Sequence, residues 1–246
     1  CFVTSPQSIE AESRLERMAA ELGHAIDDAT KHYPKAVKGE IEVYQESGLA
    51  PEDGYLARII GERSAGKTVF LRRFYGHHLS RSMQERLTLV WIDCEEFEVF
   101  EASKASAHAL DQIKTALFGE DSFGWNHLAQ VHAKQVAEFK RITGLKGAAL
   151  RAELAPQLLA QERTDPFKAF SAYAAFATSN RRRLPCVVVD NIDHLARPAD
   201  AVAWAVACHA AIFGLTTITI EDTSLWRLRA ERDQMDAHGV QQFWLR

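Results

Sequence analysis

Residues 61–68 read Gly-Glu-Arg-Ser-Ala-Gly-Lys-Thr and match the pattern GxxxxGK[ST] in full. A strand-like run, Tyr55-Leu-Ala-Arg-Ile-Ile60, precedes them, and a helix-like run, 69–75, follows. Gly61 and Gly66 permit a tight turn that brings backbone N–H groups around an anion, and the following helix directs its positive N-terminal end to the same point. The stretch predicts a phosphate-binding loop. The alternative is a glycine-rich strand-to-helix turn followed by a chance Lys-Thr pair.

The loop pattern also assigns roles to single side chains. Lys67 is expected to reach the β and γ phosphates of a nucleotide, and the Thr68 hydroxyl is expected to hold Mg²⁺. The predicted cofactors are therefore ATP or ADP together with Mg²⁺. The predicted nucleotide-binding residues are Gly61, Glu62, Arg63, Ser64, Ala65, Gly66, Lys67, Thr68 and Val69.

A second stretch of sequence, residues 184–190, supports the prediction of a phosphate-binding loop. Leu184-Pro-Cys-Val-Val-Val-Asp190 is apolar and β-branched and ends in an acid, as a strand buried on both faces of a parallel sheet would. Ligands bind outside the carboxyl ends of such strands, so Asp190 is predicted as the second Mg²⁺ partner beside Thr68. An apolar strand that ends in Asp is common and predicts little by itself. It supports a magnesium site here because a predicted phosphate-binding loop lies upstream.

Composition bounds the class of protein. The 246 residues are 47% hydrophobic and carry a net charge of −4, which gives no general attraction to nucleic acid or to a membrane surface. A nucleic-acid partner stays possible but has no support from charge. The four cysteines are isolated, without a CxxC pair, and no secretory signal or membrane-length apolar run is visible. We therefore predict a cytoplasmic protein that binds no membrane.

The N-terminal region is predicted as one long amphipathic helix within residues 1–34, since Ser5-Pro6 is a good helix start and Pro34 ends the apolar periodicity. This helix either packs on the domain, leads in from an upstream domain, or serves self-association. Residues 35–246 are predicted as the nucleotide-binding core, which begins with a polar connecting segment over 35–54.

From residue 55 onward, apolar strands alternate with helical patterns, which predicts an α/β fold with a doubly wound, five-stranded parallel sheet. More than ninety residues separate the second and third strands, so about 120–163 is predicted as a helical insertion. The predicted strands are 55–60, 87–93, 185–190, 215–220 and 239–245, and the predicted helices are 67–79, 103–118, 127–142, 146–162, 165–180, 198–212 and 224–236.

The loop at 61–68, the strand ending Ile92-Asp93-Cys94, and Val187-Val-Val-Asp-Asn-Ile-Asp-His-Leu195 together resemble the core of AAA+ and STAND-type P-loop ATPases, including their origin-recognition and NACHT-like branches. The resemblance covers about residues 55–246 in element order. It implies an ATP-dependent switch whose nucleotide state controls self-assembly or an attached effector. It also implies a setting in antiviral defence or in DNA transactions, between which the sequence does not choose.

The resemblance gives Asp190 the role of the Walker B acid that holds Mg²⁺, but Asn191 follows where many AAA+ enzymes place Glu. An amide can position water and is a poor general base, so Asp193 becomes the candidate catalytic acid, as in the NACHT-like pattern. The alternative for Asp193 is the N-cap of the next turn. Slow hydrolysis is expected in either case.

The resemblance further implies a polar sensor near the end of the fourth strand, for which Thr219 and Thr223 are the candidates, because the acids Glu221 and Asp222 would oppose a γ-phosphate. Arg227, Arg229 and Arg232 lie where an arginine finger would come from, although an exposed Arg-rich helix explains them as well. No helical lid follows residue 246, and the chain begins at Cys, so we expect a piece of a longer protein.

Two other classes of function compete with the switch ATPase. One is a scaffold that holds nucleotide without turnover, which Asn191 and the acids at the sensor position favour. The other is a P-loop phosphotransferase, for which a basic lid and an acceptor site are expected and the insertion shows no clear example. The predicted partners are a nucleotide and, through self-association or otherwise, protein.

Overall fold

The structure is a computed structural model. It describes residues 6, 9–17, 20–21, 56–62, 64–119, 124–212 and 215–222, and the backbone of 240–245. Several sequence predictions fall on other positions and lie outside the described residues. These are most of the helix within 1–34, the segment 35–54, the helix at 224–236, Arg63, Thr223 and the three arginines of the possible finger.

The strands form one parallel sheet, and this confirms the predicted α/β class. In chain order they are β1 (Leu56–Gly61), β2 (Leu87–Asp93), β3 (Leu184–Asp190), β4 (Thr216–Asp222) and β5 (Val240–Leu245). Their order across the sheet is β2-β3-β4-β1-β5, and every neighbouring pair is parallel. The carboxyl ends of β1 and β3, which carry the two predicted motifs, therefore lie at the same edge of the sheet.

The fourth strand runs further than predicted. The sequence pattern ended it at residue 220, before two acids, whereas Glu221 and Asp222 continue β4 and pair with Ile60 and Gly61 of β1. From sequence, the end of a strand is predicted where an apolar run gives way to charged residues. The structure extends this strand because its acids are opposite β1 and have backbone partners there.

Helices cover both faces of the sheet. They are α1 (residues 9–17), α2 (Lys67–Arg73), α3 (Arg81–Arg86), α4 (Ala102–Phe118), α5 (Trp125–Val131), α6 (Ala133–Thr143), α7 (Gly147–Thr164), α8 (Pro166–Arg181) and α9 (Pro198–Ala211). None of the described helices is both long and apolar enough to cross a membrane.

The two faces of β3 explain its unbroken apolar run. Val187 and Val189 pack with buried residues of α4, α8 and α9 on one face. Cys186 and Val188 pack with α1 and α2 on the other face. Because side chains alternate along a strand, both sets are buried only when helices cover both faces.

Two predicted helices differ from the structure by more than one or two residues at an end. The helix predicted at 67–79 is α-helical only to Arg73 and continues as a π-helical turn, Phe74–His78. The helix predicted at 127–142 is two helices, α5 and α6, separated at His132 with φ −98° and ψ 34°. Neither Gly nor Pro marks this break in the sequence, so a periodicity pattern passes over it.

Three helices, α5, α6 and α7, occupy the segment predicted as a helical insertion. They pack around a small apolar cluster of their own, which contains Leu128, Leu150, Leu154 and Leu158. Near the end of α7, Glu162 bonds to Lys114 of α4 and to Tyr173 of α8. The insertion thus has its own apolar centre and a polar connection to the helices that cover the sheet.

Candidate phosphate and magnesium site

The loop after β1 has the backbone shape that an anion site needs. Ser64 and Gly66 have left-handed conformations, with φ of 64° and 79°, and α2 begins directly after Gly66. The Ala65 N–H donates to the Glu62 carbonyl at 3.1 Å, which closes a turn inside the loop. Alternation of left- and right-handed residues turns successive N–H groups to one side and forms a concave anion site. Gly66 suits its position because a residue without Cβ adopts positive φ at no cost.

Lys67 lies across this loop. Its side-chain nitrogen donates to the carbonyl oxygens of Gly61 at 3.0 Å and Glu62 at 2.9 Å, and the residue is only 8% exposed. An ammonium carries three donors, so two bonds to the loop leave one for an anion. The positive charge is thus held next to the N–H groups of the loop. Val69, also predicted to bind nucleotide, is 53% exposed at the start of α2.

Thr68 and Asp190 meet, although 122 positions separate them in the chain. The Thr68 hydroxyl donates to Asp190 Oδ1 at 3.1 Å, and the Asn191 N–H donates to the same oxygen at 2.8 Å. Asp190 is fully buried, and within the described part of the chain its other oxygen, Oδ2, has no hydrogen-bond partner. The two residues predicted to share Mg²⁺ are therefore in contact, with one carboxylate oxygen lacking a partner.

The pKa of Asp190 is raised above its ordinary value, mainly because burial opposes the charged form. The hydrogen bonds from Thr68 and Asn191 lower the pKa, the negative charge of Asp93 raises it, and the positive charge of Arg72 lowers it. A nearby cation stabilises the ionised form of a buried carboxylate and so opposes this increase in pKa. Electrostatics and the partnerless oxygen therefore both fit a metal ion at Asp190.

Asp93 belongs to the same site, although it is not among the site residues predicted from the sequence. It ends β2 directly opposite Asp190 in the strand register. Its Oδ1 accepts a 2.8 Å hydrogen bond from the Asn191 side-chain amide and a 3.1 Å bond from the Glu95 N–H. Asn191 itself has φ 55°, a conformation that Asn tolerates better than most residues. The signal in the sequence was that β2, like β3, ends its apolar pattern in Asp.

Asp193 lies half-buried in the 3-10 turn Ile192–His194. It is not the N-cap of the following elements, because Asn191 precedes the turn and Arg197 precedes α9. Its charge does reach Cys94, whose thiol pKa is raised to about 12 by burial and then by Asp93, Asp190 and Asp193. Three carboxylates thus lie around Cys94, at the carboxyl ends of β2 and β3.

Thr219, the sensor candidate among the described residues, bonds to Glu221. It is 1% exposed, and its hydroxyl donates to Glu221 Oε1 at 2.9 Å. Glu221 is buried, with the same oxygen 3.7 Å from Arg58 Nε. The acid expected to oppose a γ-phosphate is therefore paired with a cation. The structure records no hydrogen bond between Thr219 and the described loop residues.

No group of three or more His, Cys, Asp or Glu side chains that could hold a metal ion occurs among the described residues. Magnesium in nucleotide sites is held by one or two protein oxygens together with phosphates and water, so Thr68 and Asp190 form the kind of pair it uses. No protein-family model matches the chain, and no curated protein matches it in sequence.

Proposed function

We propose that this chain is a nucleotide-binding switch ATPase of the AAA+/STAND type, with the doubly wound, five-stranded fold of P-loop NTPases. The observation that carries the proposal is the contact between Thr68, directly after the GxxxxGK loop, and Asp190 at the end of a buried parallel strand. In this arrangement the loop holds the phosphates, and the Thr68 hydroxyl and the Asp190 carboxylate hold Mg²⁺.

Each binding role has a physical basis in the site. The N–H groups around Ser64 and Gly66 and the N-terminal end of α2 attract phosphate oxygens. Lys67 supplies the opposite charge from a side chain that is already desolvated and held in place. Mg²⁺, when bound, would neutralise phosphate charge, and Thr68 and Asp190 would hold it from the protein side.

For hydrolysis we propose that Asp193 accepts a hydrogen bond from the attacking water and that Asn191 orients the same water. The Asn191 side-chain nitrogen donates to Asp93, which holds the amide in place, and its side-chain carbonyl oxygen is the atom that can accept a bond from water. Hydrolysis is expected to be slow, because the residue directly after Asp190 is an amide rather than an acid. Slow turnover suits a switch that controls assembly or an attached effector.

The second candidate is a scaffold that holds ATP or ADP without hydrolysis. It is favoured by the same observation, since Asn191 occupies the position after the Mg²⁺ acid and is committed to Asp93. Phosphate release from Mg-ATP separates the two candidates. A phosphotransferase would instead need an added acceptor for turnover.

Replacing Lys67 by alanine is expected to weaken ATP binding at least about tenfold, because a charge-assisted hydrogen bond contributes about 1.5–3 kcal/mol. Titration with a fluorescent ATP analogue measures this loss. Lys104→Ala is the matched control, since Lys104 is exposed on α4 and pairs with Glu101. Equal affinity in wild type and Lys67→Ala would remove the phosphate-loop assignment.

Replacing Asp190 by asparagine is expected to abolish the gain in ATP affinity that Mg²⁺ provides while metal-free binding persists, because the loop backbone is untouched. Calorimetric titration with and without Mg²⁺ tests this, with Asp111→Asn on the exposed side of α4 as control. The proposal fails here if magnesium raises affinity equally in wild type and in Asp190→Asn.

A further inference from the structure

An apolar groove of about 670 Å³ lies between α4, the start of α8, and α9. Phe100 and Trp204 line it, with ring centroids 6.1 Å apart, and both are nearly fully buried. The Trp204 indole N–H donates to Ser106 Oγ at 2.9 Å, so the polar atom of this ring is already satisfied. The two rings thus present carbon to the groove, and the hydroxyl residues Ser103, Ser106 and Thr164 complete its lining.

The α9 wall of the groove has small side chains. Ala203 and Ala207 line it, are exposed and lie one helical turn apart. Small residues at this spacing allow another helix to approach closely, and an amphipathic helix places apolar residues at i, i+3, i+4 and i+7 into a groove of this kind.

The charged residues that line the groove, Asp165 and Asp200, are both acidic. Asp165 accepts the Lys168 N–H at 3.0 Å, and Asp200 pairs with the exposed Arg197 at 3.3 Å. Both carboxylates keep further acceptor positions, because an ionised carboxylate has about four. An occupant with apolar residues flanked by Lys or Arg complements this surface, whereas an acidic occupant does not.

We propose that this groove docks a basic amphipathic helix of a partner protein. The site is separate from the phosphate loop and the proposal does not depend on nucleotide binding. The groove nevertheless lies near the same sheet edge, because Phe100 follows β2 and α9 follows β3. His194 Nε2 lies 3.3 Å from Glu95 Oε1, so the two connecting turns are in contact.

The test uses the whole chain without nucleotide, so its outcome is independent of the proposed ATPase. The probe is a dye-labelled peptide of about 18 residues, since shorter helices are marginal in water, with Leu at i, i+3, i+4 and i+7 and Lys on the flanks. Fluorescence anisotropy should show binding to wild type and to Ala210→Arg, an exposed α9 position outside the groove lining. Binding to the double variant Ala203→Arg, Ala207→Arg should be at least about tenfold weaker, because two bulky cations block the wall and oppose the lysines.

Four results would overturn the proposal. The first two are no peptide binding to wild type, and equal binding to wild type and the double variant. The third is equal binding of a peptide in which Glu replaces every Lys, which would deny the charge complementarity. The fourth is self-association of the wild type that the double variant abolishes in sedimentation, which would make the occupant a second copy of this chain. Circular dichroism of the variants confirms that the exposed substitutions leave the fold intact.

Discussion

Replacing Asp193 by alanine is expected to lower phosphate release from Mg-ATP by a factor of about 10²–10⁴, the usual contribution of a positioned base. Asp193 is half-buried in the turn that follows Asp190, and its charge reaches Cys94 together with those of Asp93 and Asp190. It is therefore close to the predicted magnesium site without being the residue that holds the metal. ATP affinity should be preserved, and single-turnover phosphate release is the measurement.

Asn191 is expected to contribute less to hydrolysis than Asp193. Asn191→Ala should slow hydrolysis less than Asp193→Ala, because an amide orients water but does not accept its proton. Asn191→Glu should raise the rate, since it places an acid directly after Asp190. If Asp193→Ala and Asn191→Glu both leave phosphate release at the level of the buffer blank, the non-hydrolysing scaffold becomes the better interpretation.

The sequence predicted the parts of this site that depend on contiguous residues. The loop at 61–68 and the strand that ends in Asp190 are local patterns, and the structure brings Thr68 and Asp190 together. The α/β class and the parallel sheet follow from the alternation of strand and helix patterns. The fold class and the position of Asp190 could be predicted because each depends on a pattern within contiguous residues.

The sequence did not reveal features that depend on register between distant strands. Asp93 joins the site because it is opposite Asp190, and that pairing of β2 with β3 bridges the ninety intervening residues 94–183. A different limit applies to Thr219: its partner Glu221 is two positions along the same strand but was expected to lie beyond the end of β4. Alternation along a strand says which residues share a face, but it does not say which side chains on that face will bond.

The polar connection of the insertion is a third feature that no local pattern indicates. Glu162 lies near the end of a helix with otherwise exposed charges, yet its side chain is only 3% exposed. It accepts hydrogen bonds from His132 at 2.9 Å, Tyr173 at 3.0 Å and Lys114 at 2.6 Å. These donors come from three separate segments of the chain. A single carboxylate thus links α7 to α4, to α8 and to the break between α5 and α6.

The pKa of Glu162 shows that this arrangement favours the ionised form. Burial alone would raise the pKa, but the hydrogen bonds from His132, Lys114 and Tyr173 and the charge of Lys114 together lower it below the ordinary value of 4.5. Burial and the neighbouring Glu162 also raise the pKa of Tyr173, so its hydroxyl stays protonated and donates. A carboxyl whose folded pKa is lowered contributes stability above its ordinary pKa and loses it as the pH falls through the lowered value.

Replacing Glu162 by alanine is therefore expected to reduce the free energy of unfolding by about 3–5 kcal/mol, because it removes one member of a buried ion pair and with it the carboxylate to which Lys114, Tyr173 and His132 bond. Glu162→Gln should be intermediate, since it keeps an acceptor and loses the charge. Urea unfolding at neutral pH measures both, with Glu153→Ala on the exposed side of α7 as the control within about 0.5 kcal/mol of wild type. The difference between wild type and Glu162→Gln should shrink on acidification below 4.5. Equal stability of the Glu162→Ala and Glu153→Ala variants would mean that the desolvation of this cluster cancels its hydrogen bonds, and that the apolar contacts of the insertion hold it to the core.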